Sequence, residues 1–376
     1  MRRYSCTALT ENPNRKIWAG QRVVVTGGAG LIGSRLYQRL VRAGAHVRLF
    51  DRLDAYEHQT LRHFGVSHDD VNLTIADIRD RRTVRRAIVD ADYVIHSAAY
   101  ADVAACTHDP FRAFASNLHA TEVLLEEIAR TSQIKRLILY SSASVYGNGT
   151  RSTEGPPCFS EDDPVAPLSI YGNAKQWAEH QMRLLLDEVV PYTILRLFSV
   201  YGAPQVPKRY SHSWAVAWFA MRAIVGLPME VHGDGSQVRD FIHVDDVADA
   251  TIRALASPAA VGQTINIGTG KPTSIRRLAG AIKQHFPRTR IRTTPRPTGD
   301  PTGGYADTTR MHRLLDWTPP ICVEQGVPAY IDWLQRHPEV VPNWLTEAQD
   351  RDRLITNASG PDARLAGLNY AGDGHG

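Results

Sequence analysis

The stretch from Gln21 to Asp51, QRVVVTGGAGLIGSRLYQRLVRAGAHVRLFD, admits few folds. Val23, Val24 and Val25 form an apolar strand run, and Gly27, Gly28, Gly30 and Gly33 punctuate the turn after it. Leu31, Leu36 and Leu40 then repeat at helical spacing, and a second apolar run ends on Asp51. Strand, glycine turn, helix and strand in so short a unit predict one βαβ element of a parallel sheet. Gly28, Gly30 and Gly33 carry the spacing at which a backbone without side chains can approach a pyrophosphate, with the helix N–H groups receiving the anion. Alone, that spacing also describes a tight turn with no ligand. The preceding strand, the following helix and an acidic residue about 20 positions on favour a dinucleotide. Asp51 would accept hydrogen bonds from an adenosine ribose, which favours NAD over NADP, whereas Arg52 reads more simply as a solvated strand end.

With 376 residues, 43% of them hydrophobic, the chain can bury a large core and form two or three domains. Its 43 Lys and Arg nearly balance 39 Asp and Glu, for a formal charge of +4, so neither a nucleic-acid surface nor a membrane surface is expected. Cys6, Cys106, Cys158 and Cys322 are scattered without metal-ligand spacing and read as free thiols, with no metal expected. No apolar stretch follows the basic residues of the N-terminus, and the longest apolar helix candidate, Trp214 to Met221, is too short to span a bilayer. A cytoplasmic protein is expected by default.

Residues 1–20 are polar and aperiodic and predict a loose arm. Further strands are expected over Val71 to Ala76, Asp92 to His96, Arg136 to Ser141 and Tyr192 to Phe198, alternating with helices. The fold class is therefore α/β, a doubly wound parallel sheet. Asp77 follows the third strand and either binds an adenine amino group or caps the helix that starts near Arg79. HSAAY, residues 96–100, ends the fourth strand with side chains small enough for a flat cofactor or a crowded loop. A helix is expected over Asp109 to Ser132, on which Asn117 reads as solvent-facing.

The fifth strand ends in LYSSASVYG, with Ser141, Ser142 and Ser144 at the carboxyl edge where doubly wound sheets place ligands. Turn chemistry explains such a cluster equally well. After a loop rich in Pro, Gly and acidic residues, SIYGNAKQWAEHQM places Tyr171 and Lys175 four apart, on one face of a helix. A phenol with a pKa near 10 is a poor base at neutral pH unless a cation favours its ionised form. Lys175 and an oxidised nicotinamide would supply two. Tyr171 could then take a proton from a sugar hydroxyl while hydride leaves the same carbon, with Ser142 polarising the oxygen.

TGGAGLIG, Asp51, Asp77, HSAA, Asn117, SSASVYG and YGNAK, in this order, resemble the extended short-chain dehydrogenase/reductase family over about residues 21–335. The branch most like this chain is that of the nucleotide-sugar epimerases and dehydratases. The resemblance implies Ser142, Tyr171 and Lys175 as catalytic residues. It implies a tightly held NAD bound by Gly27, Gly30, Leu31, Ile32, Gly33, Asp51 and Arg52, then by Asp77, Ile78, Ala98, Asn117 and Phe198, with Tyr171 and Lys175 touching it as well. A nucleotide-diphosphate sugar would meet Tyr100, Ser142, Ala143, Ser144 and Ser199. GDGSQVRDFIHVDDV, residues 233–247, resembles the segment that sets an arginine, here Arg239, on the diphosphate, and Arg296 is the second candidate by bidentate geometry. The implied organisation is a Rossmann-type NAD domain over 21–200, completed near 238–268. A smaller mixed α/β substrate domain would take 201–237 and 269–345, and a flexible tail 346–376. The helices over 109–132 and 170–188 would pair in a homodimer, although burial within one chain fits their periodicity too.

The chain departs from the family pattern at three places. Arg296 is four residues from Asp300, Ser199 stands where an Asn is usual, and Ala143 and Ser144 occupy positions where dehydratases carry Asp-Glu and decarboxylases a Glu. Loss of water needs an acid that Ala and Ser cannot supply. The expected function is therefore a NAD-dependent nucleotide-sugar epimerase working by transient oxidation to a keto-sugar and hydride return, with C4 the expected carbon. The alternatives are a dehydratase, decarboxylase or dehydrogenase with an acid from Glu161, Asp162 or Asp163, and a non-catalytic NAD-binding scaffold or sensor.

Overall fold

The computed structural model describes residues 15–56, 58–131, 133–149, 155–207, 213–296 and 301–348. In chain order the strands are β1 (Arg22–Thr26), β2 (His46–Asp51), β3 (Leu73–Ile75), β4 (Tyr93–His96), β5 (Arg136–Ser142), β6 (Cys158–Phe159) and β7 (Tyr192–Leu197). They continue with β8 (Ser199–Tyr201), β9 (Met229–His232), β10 (Val238–His243), β11 (Thr264–Ile267), β12 (Pro272–Ser274), β13 (Ile291–Thr294) and β14 (Tyr305–Ala306). Seven of them make one sheet in the order β11-β7-β5-β4-β1-β2-β3, and every pair is parallel. The chain winds outward from β1 to β3, then returns to β4 on the other side of β1. That reversal opens a crevice at the carboxyl ends of β1 and β4, where ligands of such sheets bind.

The sheet is buried on both faces because its side chains alternate. Val23 and Val25 pack under the helices Leu31–Arg42 and Val244–Ala256, with Leu36, Leu40, Val247 and Leu255. Val24 points the other way, toward Val84, Leu124, Met182 and Leu186 of the helices Arg81–Ile88, Ala120–Ala129 and Ile170–Leu186. A separate core joins the helices Ala215–Ile224, Ile275–His285 and Val323–Arg336 through Phe219, Leu278 and Ile331, together with Met229 and Val231 of β9. Around that core β10 pairs parallel with β8 and antiparallel with β12, and β9 pairs parallel with β13.

Four expectations are corrected. Within the expected arm, Arg15–Trp18 is helical and Trp18 is fully buried, its ring edge-on to Tyr93 at 5.1 Å; one aromatic side chain anchors an otherwise polar stretch. Residues 1–14 lie outside the described residues, as do 349–376 of the expected tail. Of the segment expected to complete the NAD-binding half, Thr264–Ile267 enters the main sheet, whereas β10 pairs outside it. The helix Thr309–Leu315, expected with the substrate half, packs Met311 and Leu315 into the core of the main sheet. The single helix expected over 109–132 is α-helical over Pro110–Ala113 and Ala120–Ala129 but widens to a π-helix over Phe114–His119. Among the described residues no helix is long and apolar enough to cross a membrane.

Candidate active site

A cavity of about 820 Å³ lies over the carboxyl ends of β1, β4 and β5 and runs on to β8 to β10. Its floor is the glycine turn. Gly27 has φ +67°, and a Cβ there would lie 2.7 Å from the Ala98 Cα, so the backbones at the ends of β1 and β4 approach this closely because residue 27 carries no side chain. A Cβ on Gly33 would collide with the Gly27 carbonyl oxygen, which fixes how closely the helix Leu31–Arg42 sits on the turn. Gly30 is its N-cap and makes no side-chain cap, leaving the helix start turned to the cavity with Leu31 and Ile32.

Asp51 ends β2 in the same wall. Burial raises its carboxyl pKa, and the N–H groups of Ala29 (3.0 Å) and Leu53 (2.9 Å) work against that rise. Arg52 is held by Asp54 at 3.0 Å and Asp77 at 3.3 Å. Two carboxylates thus occupy the cation that follows Asp51, so this end of the cavity suits the unphosphorylated ribose of NAD. Asp77 is not the helix cap: Asp80 caps the helix Arg81–Ile88, its side chain accepting from the Arg82 N–H. Asp77 lines the cavity with Ile78, and it accepts from the Arg79 backbone N–H at 2.8 Å; its side-chain hydrogen bonds from Arg79 hold it well below the usual carboxylate range. Small residues at the strand ends, a Cβ-free turn and an acidic ribose end fit a dinucleotide.

Ser142, the last residue of β5, starts a 3-10 turn over Ala143–Tyr146, and its hydroxyl accepts from the Ser144 N–H at 3.1 Å. Tyr171 stands in the first turn of the helix Ile170–Leu186, which Ser169 caps by accepting from the Gly172 N–H at 3.0 Å. The Tyr171 phenol lies beside the Ser142 side chain, and the Lys175 ammonium lies 5.8 Å from the centre of the Tyr171 ring. Lys175 Nζ donates to the Tyr140 carbonyl at 2.8 Å, which aims it along β5. All three residues line the cavity.

Burial pushes the Tyr171 phenol above its usual range, with Ser142 pulling the other way, so the expected lowering by Lys175 does not prevail in the protein alone. Burial brings Lys175 down to about 8. Cys106, which also faces this pair, is itself pushed up to about 12 by burial and is neutral at physiological pH, so it lends neither group a charge. Glu179, one turn after Lys175, is a true anion: burial opposes its charge, but hydrogen bonds from Arg196 at 2.9 and 2.8 Å hold it below the usual range. Ser141 donates to the same carboxylate at 2.5 Å, so one buried ion pair ties the helix to β5 and β7 directly behind the three polar residues.

Other expected residues divide. Phe198, Ser199 and Arg239 line the cavity, and Arg239 Nη1 donates to the carbonyls of Val238 (2.8 Å) and Pro301 (3.3 Å). Asn117 is buried rather than solvent-facing: it accepts from the Tyr100 N–H at 2.7 Å and donates to the Tyr100 carbonyl at 3.1 Å. Neither Asn117 nor Tyr100 lines the cavity, so Asn117 acts on the backbone beneath it. Arg296 is exposed beyond the end of β13 and does not line it either, because the preceding strand carries its side chains on the surface. Of Arg209, Tyr210, His212 and Trp214, which the sequence offers either as lining for the base or sugar or as solvent-exposed side chains, the first three lie outside the described residues, while Trp214 is in the wall. Sequence reading missed Glu230 and His232, which line the far end. They alternate with buried Met229 and Val231, a period-2 signal that was legible in MEVH.

A Rossmann-type sheet with a Ser, Tyr and Lys facing its glycine turn defines a dinucleotide-dependent enzyme of the short-chain dehydrogenase/reductase type. The sequence profile of the NAD dependent epimerase/dehydratase family matches residues 23–268, and the chain belongs to that family. A UDP-glucose 4-epimerase of Mycolicibacterium smegmatis is 33% identical over 84% of this chain and 98% of its own. The crystal structure of UDP-glucose 4-epimerase from Thermotoga maritima, solved with UDP-glucose, is similar with a TM-score of 0.76 and 28% identity over 84% of this chain and 99% of that one. The Thermus thermophilus UDP-glucose 4-epimerase, solved with NAD, gives a TM-score of 0.74 at the same identity and coverage.

Proposed function

We propose that this protein is a nucleotide-sugar 4-epimerase. The observation that carries the reading is the Tyr171 phenol, beside Ser142 and with the Lys175 ammonium 5.8 Å from its ring centre, in one cavity with the glycine turn. NAD, held by Gly27, Gly30, Leu31, Ile32, Asp51, Asp77 and Ala98, supplies reversible hydride acceptance. Tyr171 takes the proton of the sugar hydroxyl and later returns it. Ser142 holds the same oxygen, and Lys175 keeps positive charge beside the phenolate. Arg239, whose guanidinium is braced by two carbonyls, anchors the diphosphate while the keto-sugar turns over, and Ser199 contacts the sugar side. The half built on the second core, with Trp214 and Glu230 in the cavity wall, receives the nucleotide.

Dehydration or decarboxylation fits less well. Glu161 accepts from the Asn266 N–H at 2.8 Å, Asp162 is bound by Arg310 at 2.6 Å, and Asp163 accepts from the Ser160 N–H at 2.9 Å. None of the three lines the cavity. A homodimer is part of the proposal: Ile170, Trp177 and Leu184 recur every seven residues on one helix, and Phe111 and Phe114 stand exposed on its neighbour, an apolar face suited to a second copy. The free thiols of Cys106, Cys158 and Cys322 support a cytoplasmic setting. The test is Tyr171→Phe assayed with UDP-glucose and related nucleotide sugars. The proposal expects product of unchanged mass from the wild type and turnover about 100- to 10,000-fold lower in the variant, with NAD still bound. Wild-type turnover in Tyr171→Phe refutes it.

A further inference from the structure

Outside the cavity, one cluster gathers metal-binding side chains from distant parts of the chain. His63 is the last residue of the short helix His58–His63 after β2. His337 is the C-cap of the helix Val323–Arg336, and Glu339 lies in the 3-10 turn Pro338–Val340 that follows. The candidate ligand atoms all lie within 4.8 Å of one another. His63 Nε2 and His337 Nδ1 are each 3.2 Å from the same carboxylate oxygen, Glu339 Oε1. A tetrahedral zinc with bonds of about 2.0–2.1 Å separates its ligands by about 3.3–3.4 Å, so two edges of such a site are already at length.

The frame around the cluster is rigid. Leu61 and Phe64 on either side of His63 are buried, and so are Leu334 and Val340 on either side of His337 and Glu339. The rings of His63 and His337 are 5.0 Å apart at 69°, and Trp333 packs on both, 6.0 Å from the first and 5.4 Å from the second. Glu339 is half exposed, which leaves a path for an ion and a position for water. None of the three residues lines the catalytic cavity.

We propose that His63, His337 and Glu339 form a binding site for a divalent transition metal of the zinc class, with its fourth position open to solvent. Two imidazoles and one carboxylate suit zinc, cobalt, nickel or copper and suit calcium or magnesium poorly. The metal staples the NAD-binding half, through His63, to the C-terminal helix that closes the second core. It acts on stability rather than on the chemical step.

The experiment uses the full chain, freed of metal by chelation and gel filtration, then titrated with ZnCl2 by calorimetry and with CoCl2 by visible absorption. The proposal expects one zinc per chain, a rise in melting temperature with zinc, and a cobalt spectrum of a four-coordinate site. Affinity should fall at least about tenfold in each of His63→Ala, His337→Ala and Glu339→Gln, with far-UV circular dichroism reporting that each variant folds. A chain that takes up no zinc, or takes it up equally in all three variants, overturns the proposal and leaves a hydrogen-bonded imidazole-carboxylate cluster only.

Discussion

Lys175 shows how a single buried charge sets both chemistry and stability. Its pKa in the fold, about 8, lies below the ordinary lysine value near about 10.4. Between those two values the unfolded chain binds more protons than the folded one, so the contribution of this group to stability rises as pH rises through about 8 to 10. Below that window the cost of burying the cation is fully present. Denaturant midpoints at pH 7 to 10 should therefore show an upward component that Lys175→Met lacks; identical pH slopes for the two proteins would contradict it. That Ser142, Tyr171 and Lys175 share one cavity was legible in the sequence, because the strand end and the helical spacing place them on facing elements. The roles of Asn117, Tyr100 and Arg296 were less so. Asn117 is turned inward within a π-helical stretch, which a 3.6-residue period does not describe, and there it holds the Tyr100 backbone. Arg296 sits on an exposed strand end, and a motif spacing says nothing about which way that end faces.

At the level of elements, the junction of β1 with the helix Leu31–Arg42 is the part most tightly specified. The Gly33→Ala change places a methyl against the Gly27 carbonyl oxygen, a backbone atom that cannot step aside. Overpacking of this kind costs about 1–3 kcal/mol, and here the strain moves the helix start away from the anion it would receive. NAD affinity is expected to fall at least about tenfold, equivalent to about 1.4 kcal/mol. Gly280→Ala is the control: a Cβ there meets nothing within 4 Å in the interior of the helix Ile275–His285, and a gain of about 0.5–1 kcal/mol is expected. Fluorescence titration with NAD and urea denaturation measure the pair. The main strands were readable because both faces are buried and their runs are nearly continuous in Val, Ile and Leu. The arm was misread because its anchor is one residue, Trp18, and one residue has no period.

For the molecule as a whole, the exposure of Phe111, Phe114, Ile170 and Leu184 on two neighbouring helical segments is the feature least consistent with a lone chain. Phe111 is 82% exposed and Leu184 81%. Leu184→Asp is expected to convert a dimer to a monomer in sedimentation equilibrium while leaving the fold intact; a wild type that sediments as a monomer would remove that part of the proposal. Periodicity alone could not separate this face from a buried one, because both produce the same stripe. The central claim concerns one cavity in which a sugar carbon is oxidised and re-reduced with no net change. It is tested most directly with a nucleotide sugar deuterated at the reacting carbon and followed by mass spectrometry and NMR. The account predicts an epimer of unchanged mass that keeps its deuterium at that carbon. Deuterium lost to solvent, or a product lighter by water or carbon dioxide, would contradict it.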